Sequence, residues 1–468
     1  MDIRLSFLGA AENVTGSRFL LQANGHKVLI DCGMHQEREL RKRDWDPFPI
    51  DPSSIDAVLI THAHLDHCGY LPKLVREGFS GPVYCTRATA EIMQISLLDS
   101  AHLQESDAEH KRRRHQREGR KGPHPELPLY TVADAERCFE LFKPIRCKQD
   151  IEVADGLTAE FRDAGHILGS TMIAVDARVN GDKRRILFSG DVGRWDRPIL
   201  RDPSTFEQAD YVLVESTYGN RTHAPVAAVD EELERVIKQT VEARGNLIVP
   251  SFAIERAQEL LYHMSELLDE DRIPHILVFL DSPMAIKVTD VFRNHPELMD
   301  EETRAILAEH RSPFDFPSLM TVDSTEHSKA LNYLGGTGMI IAGSGMCTGG
   351  RIKHHLVNNI DRPESTVLFV GYQAVGTLGR HIVEGADEVR IFGEKRQVRA
   401  RIEQIHGFSA HADQYELLRW LSAIQNKPRK VFVIHGEEES TSDFARLISE
   451  KNGWDVAVPG YRDEFKLD

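Results

Sequence analysis

Short apolar stretches separated by turn residues dominate the first 215 residues of the chain. Residues 3–8 and 27–30 are rich in aliphatic and β-branched side chains, which favours strands. Similar stretches recur at 157–162, 171–176 and 185–189, and segments with helical spacing separate some of the earlier ones. Runs of short strands with intermittent helices predict an α/β fold of the layered αββα sandwich type.

From about residue 225 the pattern changes to longer helices that alternate with apolar strands. Helical spacing over 231–243 precedes a strand at 246–250, and helical spacing over 255–268 precedes a strand at 275–281. This βαβ rhythm predicts a parallel sheet. Short strands resume near residue 400, so we expect the parallel sheet to belong to a domain inserted into the sandwich.

The length of 468 residues exceeds the usual size of a single hydrophobic core, which agrees with more than one domain. We predict a first part of the sandwich at 1–208, an inserted domain at 209–395, and the C-terminal part of the sandwich at 396–468. No apolar run reaches the roughly 18 residues that a membrane span needs, and no signal-peptide pattern opens the chain. We therefore expect a cytoplasmic protein without a membrane partner.

The formal net charge of −16 argues against a protein that coats polyanions indiscriminately, because that activity depends on a summed basic field. Charge is nevertheless uneven. Residues 111–121 hold seven basic side chains and one glutamate. This segment is equally compatible with contacts to phosphates and with a solvated helical face, so its role stays open.

The most distinctive chemistry lies in the run His-Ala-His-Leu-Asp-His at 62–67, directly after the β-branched stretch 57–61. A strand that ends in imidazoles at i, i+2 and i+5 and a carboxylate at i+4 can offer ligands to two adjacent cations. The alternative is a polar loop that happens to be rich in histidine. Histidine rarely clusters without a titrating or metal-binding role, so we favour the metal site.

Three more ligand candidates, His166, Asp191 and His435, each follow a predicted strand. Together with the 62–67 run they supply five imidazoles and two carboxylates without a thiolate, a set that fits Zn²⁺ and also Mn²⁺ or Fe²⁺. Two such ions about 3.5–4 Å apart generate a nucleophile from water and neutralise charge on a phosphate. The set therefore predicts a hydrolase.

The 62–67 run with its downstream His166 and Asp191 resembles the metallo-β-lactamase superfamily, and the resemblance covers essentially the whole chain. It implies two bound zinc ions. It also implies that Asp66 is one of the catalytic residues. The implied ligands are His62, His64 and His166 for the first ion, Asp66, His67 and His435 for the second, and Asp191 as the bridge. The resemblance also implies that Asp31 hydrogen-bonds the histidine loop, so that the ligands keep their tautomers and orientation.

Three further matches resemble the β-CASP nucleases within that superfamily. Glu215, His411 and His435 fall on its acidic, second and third motifs. The resemblance implies a Glu215–His411 pair in which His411 protonates the leaving oxygen, a task that suits a group of near-neutral pKa. Capping of the following helix is the alternative role for His411. Histidine rather than valine at the third motif favours RNA over DNA.

Segments 250–256, 344–351 and 376–380 also resemble the RNA-processing branch, which includes the cleavage-and-polyadenylation endonuclease subunit and short prokaryotic relatives. Glycine-rich turns leave backbone N–H groups for phosphate oxygens, although a plain βα turn uses similar glycines. We predict RNA contacts at five positions, namely Ser251, Arg256, Ser344, Thr348 and Arg351.

These features predict a zinc-dependent ribonuclease that cleaves single-stranded RNA in RNA processing or decay, in a cleft between the sandwich and the inserted domain. We expect endonuclease action that leaves a 5′-phosphate, with 5′-to-3′ exonuclease action and a homodimer left open. A DNA nuclease of the same superfamily is the alternative. A small-molecule hydrolase would not explain the inserted domain, and a non-catalytic scaffold would require gaps in the ligand set.

Overall fold

The computed structural model describes residues 2–37, 39–120, 126–223, 228–309 and 311–468. Lys121, the last residue of the basic run, lies outside these ranges. The chain divides into two compact units. The first unit comprises Met1–Trp195, Asp202–Thr222 and His411–Asp468, and the second comprises Asp196–Arg201 and His223–Ala410. The boundaries that we place at 208/209 and 395/396 stay predictions.

In the described ranges up to Glu215 the chain forms eleven strands and four α-helices. The strands are β1 (Ile3–Phe7), β2 (Phe19–Ala23), β3 (His26–Ile30), β4 (Ala57–Leu59), β5 (Val83–Thr86), β6 (Phe142–Ile145), β7 (Asp150–Ala154), β8 (Leu157–Asp163), β9 (Thr171–Val179), β10 (Asp182–Phe188) and β11 (Tyr211–Glu215). The helices are α1 (Leu65–Cys68), α2 (Leu71–Arg76), α3 (Arg87–Glu118) and α4 (Val132–Phe139).

Helix α3 is one continuous helix of 32 residues. The Thr86 hydroxyl accepts a hydrogen bond from Thr89 N and caps its start. Gly119 adopts the left-handed conformation that ends it. No interior residue of this span is a glycine or proline, so nothing in it breaks the helix.

The middle of the chain alternates helices and strands. Its helices are α5 (Ala228–Glu242), α6 (Arg256–Asp269), α7 (Pro283–Asn294), α8 (Glu301–Ala308), α9 (Thr325–Ala330), α10 (Ile352–Asn359) and α11 (Leu378–Val383). Its strands are β12 (Leu247–Pro250), β13 (Leu277–Asp281), β14 (Leu319–Thr321), β15 (Gly338–Ala342), β16 (Thr366–Phe369), β17 (Glu388–Ile391), β18 (Glu394–Gln397) and β19 (Arg401–Gln404).

The C-terminal part supplies two helices and three strands to the first unit. They are α12 (Gln414–Ser422), β20 (Lys430–Ile434), α13 (Glu438–Asn452), β21 (Val456–Ala457) and β22 (Glu464–Leu467). Strand β22 pairs antiparallel with β1. Strand β20 lies parallel between β11 and β21. The last 58 residues from His411 therefore complete both sheets that the first part of the chain begins.

The first unit is an αββα sandwich, as the sequence predicts. One sheet has the order β22-β1-β2-β3-β4-β5-β6 and the other the order β21-β20-β11-β10-β9-β8-β7. Aromatic rings pack between the facing sides of the two sheets. The ring centroids of Phe7 and Phe432 lie 5.1 Å apart, and those of Phe19 and Phe188 lie 6.4 Å apart. Helices α12 and α13 cover the outer side of the second sheet, and α3 contacts β5 and β6 of the first sheet.

The second unit contains a parallel sheet, which confirms the βαβ prediction. Its strand order is β14-β13-β15-β12-β16-β19, and the paired strands run parallel. Helices cover both faces, because α5, α6 and α7 belong to one apolar cluster and α10 and α11 to another. Across the described ranges, we find no helix that combines the length and apolar character needed to cross a membrane.

Candidate metal centre and catalytic pair

The predicted ligands follow strands of the first unit that end at the same edge. Parallel pairing places Glu215, the last residue of β11, opposite Ile434, the last residue of β20. Strand β10 runs parallel to β11 on its other side. The residues that follow these strands, Asp191 and His435, therefore lie close to Glu215.

A first group of ligand candidates consists of His62, His64, His166 and Asp191, whose possible ligand atoms lie within 4.8 Å of one another. His64 Nδ1 lies 3.1 Å from His62 Nε2 and 3.2 Å from His166 Nε2. His62 Nε2 and His166 Nε2 lie 3.4 and 3.5 Å from Asp191 Oδ2. Four polar atoms thus converge on one point in the protein interior.

A second group consists of Asp66, His67 and His435. His67 Nε2 lies 3.1 Å from His435 Nε2, and His435 Nε2 lies 3.5 Å from Asp66 Oδ2. Asp191 Oδ1 lies 3.3 Å from His67 Nε2. One oxygen of Asp191 therefore faces each group, which is the position of a bridging carboxylate.

The donor set fits a pair of divalent cations. Tetrahedral coordination at about 2.0–2.1 Å places neighbouring ligand atoms roughly 3.3 Å apart. The distances of 3.1–3.5 Å in both groups match that spacing. Asp191 Oδ1 is buried and has no hydrogen-bond partner among the described residues. A buried carboxylate oxygen without a partner is costly, and a cation would satisfy it.

Burial and charge set the protonation of these ligands. Burial lowers the pKa of His62 to about 3 and that of His64 to about 4, so both imidazoles are neutral at pH 7. Burial raises the pKa of Asp191, but the positive charges on His435 and His67 outweigh it and hold the pKa well below its usual range. Neutral imidazole and ionised carboxylate are the forms that bind metals.

His67 and His435 behave differently in the protein without a cation. Burial lowers the pKa of each, but the charge of Asp191 outweighs that effect and raises both. Because imidazoles bind metals in their neutral form, a cation at the second group would compete with protons for these two rings.

Hydrogen bonds orient the ligand rings. Asp31 Oδ2 accepts from His67 Nδ1 at 2.7 Å, and Asp31 Oδ1 accepts from Thr61 N at 2.8 Å. The structure thus brings Asp31 to the position that the resemblance implies. Two threonines that contact ligand rings are not among the site residues predicted from the sequence. Thr61 Oγ1 lies 3.0 Å from His62 Nδ1, and Thr217 Oγ1 lies 3.1 Å from His435 Nδ1. Thr61 directly precedes the ligand His62, and Thr217 lies two residues after Glu215 of the acidic motif. These positions are the signal by which the sequence could have identified them.

Glu215 and His411 form a pair beside the first ligand group. His411 Nδ1 lies 3.3 Å from both carboxylate oxygens of Glu215 and 3.9 Å from Asp191 Oδ2. Glu215 is fully buried, whereas the His411 side chain is 21% exposed and accessible to a substrate. Burial lowers the pKa of His411, but Glu215 and Asp191 outweigh it and raise the pKa to about 9. His411 does not cap helix α12, because Asp413 holds that position.

The five predicted RNA contacts lie in the second unit. Arg351 donates to Asp281 Oδ1 at 2.6 Å and to Val322 O at 2.8 Å, and Arg256 donates to Glu259 Oε2 at 2.8 Å. Both guanidinium groups thus take part in the internal packing of this unit. The other three positions carry hydroxyls, of which Ser251 is buried, Ser344 is half-buried and Thr348 is exposed. Contact with RNA stays a prediction for all five.

The described part of the basic segment forms the exposed end of α3 and the turn after it. Lys111, Arg112, Arg113 and Arg114 are exposed. Arg113 pairs with Glu109 one turn earlier. An exposed basic helix end is compatible both with contacts to phosphates and with a solvated helical face.

Comparison with protein-family models finds three matches along the chain. Residues 14–238 match the metallo-beta-lactamase superfamily, and residues 257–382 match the Beta-Casp domain. Residues 395–459, which include His411 and His435, match the Zn-dependent metallo-hydrolase RNA specificity domain.

Curated proteins resemble the chain over nearly its full length. The chain is 39% identical over 447 residues to "Ribonuclease TTHA0252" of Thermus thermophilus, which covers 96% of both chains. It is 30% identical to "Transcription termination factor FttA" of Methanosarcina mazei, over 96% of this chain and 69% of that protein. It is 28% identical to an "RNase J-like protein" of Methanocaldococcus jannaschii, over 95% of both.

A solved structure shares the fold. The crystal structure of a protein of unknown function from Enterococcus faecalis superposes with a TM-score of 0.56 at 11% identity, covering all of both chains. Together with the family matches and the 39% identical relative, the two-unit fold settles the family. The chain belongs to the β-CASP family of the metallo-β-lactamase superfamily, as its sequence predicts, and is therefore a metal-dependent hydrolase.

Proposed function

We propose that this protein is a zinc-dependent ribonuclease that hydrolyses phosphodiester bonds of single-stranded RNA. The observation that carries the proposal is the position of the Glu215–His411 pair beside Asp191, the carboxylate shared by both ligand groups. A proton donor next to two adjacent cation sites is an arrangement that favours phosphodiester hydrolysis. Two zinc ions suit the seven ligands, and Mn²⁺ and Fe²⁺ suit the same ligand types.

RNA is the substrate that the relatives support. The protein that is 39% identical over 96% of both chains is named a ribonuclease. A second relative is named RNase J-like. The match to the RNA specificity domain covers the segment that carries His411 and His435. Histidine at position 435 also fits the RNA branch that the sequence resembles.

The residues of the chain divide the work as follows. His62, His64 and His166 would hold one cation, Asp66, His67 and His435 would hold the other, and Asp191 has one carboxylate oxygen available to each group. When bound, divalent cations lower the pKa of water and neutralise the charge that develops on the phosphate. Glu215 holds the His411 ring through Nδ1 and favours its protonated form.

Protonated His411 donates its proton to the 3′ oxygen as the phosphorus–oxygen bond breaks. The oxygen of the attacking water enters the phosphate and its lost proton passes to solvent, from which His411 is protonated again, so the products carry a 5′-phosphate and a 3′-hydroxyl. The proposal includes endonuclease action, a role in RNA processing or decay, and a cytoplasmic location. Exonuclease action and a homodimer stay predictions.

The test is cleavage of two 5′-labelled oligonucleotides of one sequence, one of RNA and one of DNA, by zinc-loaded protein. We expect RNA to be cut and DNA to persist. An Asp107→Asn variant, changed at an exposed position on α3, is the matched control and should cleave like wild type. Equal cleavage of DNA would move the assignment to the DNA branch. Cleavage of neither strand by fully loaded protein would contradict the proposal and favour a small-molecule or scaffold role.

A further inference from the structure

Three neighbouring strands of the second unit place their following loops side by side. Strand β12 is flanked by β15 on one side and by β16 on the other, and all three run parallel. Phe252 follows β12, Gly345 follows β15 and Gly371 follows β16. The loop of β12 therefore lies between the two glycine loops, at the carboxyl edge of the sheet where open α/β sheets bind ligands.

Gly345 forms a close-fitting seat for the Phe252 ring, and Gly371 lies near the ring with room for an ordinary contact. A Cβ atom on Gly345 would lie 2.7 Å from Cδ2 and 2.8 Å from Cε2 of Phe252, which is closer than real contacts allow. A Cβ atom on Gly371 would lie 3.5 Å from Cε2. Only glycine at position 345 lets the backbone approach the ring this closely.

The Gly345 loop is fixed by its own hydrogen bonds. Ser344 N donates to Gly349 O at 3.3 Å, and Ser344 Oγ accepts from Thr348 N at 3.1 Å. Gln373 Nε2 donates to Gly345 O at 3.0 Å and to Gly371 O at 3.2 Å, which ties the two glycine loops together. The seat is thus a built feature of this sheet edge.

Phe252 stays partly exposed although it is seated. Its exposed fraction is 38%, whereas Leu247, Ile248 and Val249 of the preceding strand are fully buried. Part of this aromatic side chain is therefore held against the Gly345 loop, and part of it remains open to solvent. Exposed aromatic rings in a fixed position are the surfaces on which proteins stack unpaired nucleobases.

We propose that Phe252 is a stacking platform for one base of single-stranded RNA, and that Gly345 positions its ring. This inference rests on the proposed ribonuclease function and adds a binding residue that the polar candidates at this edge did not include. A stacked base is recognised by its π face, so the platform tolerates any base sequence. It discriminates against paired RNA, whose bases are stacked on each other.

The test compares Phe252→Ala, Phe252→Leu and Phe252→Trp with wild type in steady-state cleavage of a single-stranded RNA oligonucleotide. We expect Ala and Leu to raise KM roughly 5- to 100-fold, because each removes the π surface. Trp keeps that surface and should restore KM to within about threefold of wild type. Tyr333→Ala is the matched control, since Tyr333 is 88% exposed and precedes β15, at the opposite edge of the sheet.

A second arm replaces the bases of the oligonucleotide one at a time by abasic sites. Wild type should lose affinity at one position, and Phe252→Ala should show no further loss there. Unchanged KM in Phe252→Ala, full rescue by Leu, an equal rise in Tyr333→Ala, or the same abasic penalty in both proteins would each overturn the platform. Wild type that cuts no RNA would instead overturn the proposed function.

Discussion

His411 Nδ1 lies at the same distance, 3.3 Å, from both carboxylate oxygens of Glu215. The carboxylate is itself fixed, because Val192 N donates to Glu215 Oε1 at 2.7 Å. A buried, immobile carboxylate thus holds the imidazole in one orientation and favours its charged form. The pair lies beside the proposed ligands, with His411 Nδ1 3.9 Å from Asp191 Oδ2.

Replacement of His411 by alanine should leave the metal content intact and lower turnover of RNA about 10²- to 10⁴-fold, the usual contribution of a positioned acid. The measurement is a single-turnover cleavage rate together with the zinc content of the same sample. Turnover equal to that of wild type would remove His411 from the role of acid.

Replacement of Asp191 by asparagine should lower the metal content. The amide lacks the negative charge that faces both groups, at 3.4 Å from His62 Nε2 and 3.3 Å from His67 Nε2. Elemental analysis after dialysis checks the outcome. Two ions per chain in Asp191→Asn would show that Asp191 is not the bridge.

Replacement of Asp31 by asparagine should weaken metal binding about 10- to 100-fold while all seven ligands remain, because Asp31 orients the His67 ring through a 2.7 Å hydrogen bond. Competition with a chelating dye measures the affinity. Asp107→Asn is again the control of equal charge change. An affinity for zinc that matches the control would contradict the positioning role.

Asp44 gives the first unit an acid-sensitive contact away from the ligands. It accepts from Arg18 Nη2 at 2.5 Å and pairs with His35 Nδ1 at 2.8 Å, and both its side chain and that of Arg18 are only 3% exposed. Burial raises the pKa of Asp44, but His35 and Arg18 outweigh it and hold the pKa below its ordinary value. Ionised Asp44 therefore contributes stability to the fold at pH values above the pKa that this carboxyl has in the unfolded chain. That contribution is lost as the pH falls through the pKa that it has in the folded protein.

Asp44→Asn should accordingly lower the free energy of unfolding at pH 7 by about 3–5 kcal/mol, because Arg18 is left buried without its partner. The difference from wild type should shrink as the pH falls below about 4. Urea unfolding of the metal-free wild type and variant at pH 7 and at pH 3 measures the difference in free energy of unfolding at each pH. A difference that stays constant between the two pH values would contradict the assignment.

Several ligands could be predicted from the sequence because they lie within a few residues of the end of a strand whose apolar pattern is local. His62 follows β4, and His435 follows β20 at once. The grouping of Asp191 with both sets came from the family resemblance. No local pattern shows that β10, β11 and β20 lie side by side, because β20 is separated from β11 by more than 200 residues.

The strand order of the second unit could not be predicted from the sequence either. Its βαβ rhythm predicted a parallel sheet, yet the strand order that places Phe252 between Gly345 and Gly371 depends on long-range pairing. Arg351 shows a related limit. Its ion pair with Asp281, 70 residues away, could not be predicted from local sequence, and its contact with RNA stays a prediction.

The central claim is that the seven-ligand centre holds two divalent cations that drive RNA cleavage, and metal add-back tests it most directly. Metal-free wild type receives zinc in steps while cleavage of single-stranded RNA is followed, with Asp191→Asn in parallel. We expect no cleavage without zinc, a rise that ends near two equivalents per chain, and little response in the variant. Full cleavage by the metal-free protein, or two bound equivalents without any cleavage of RNA, would contradict the account.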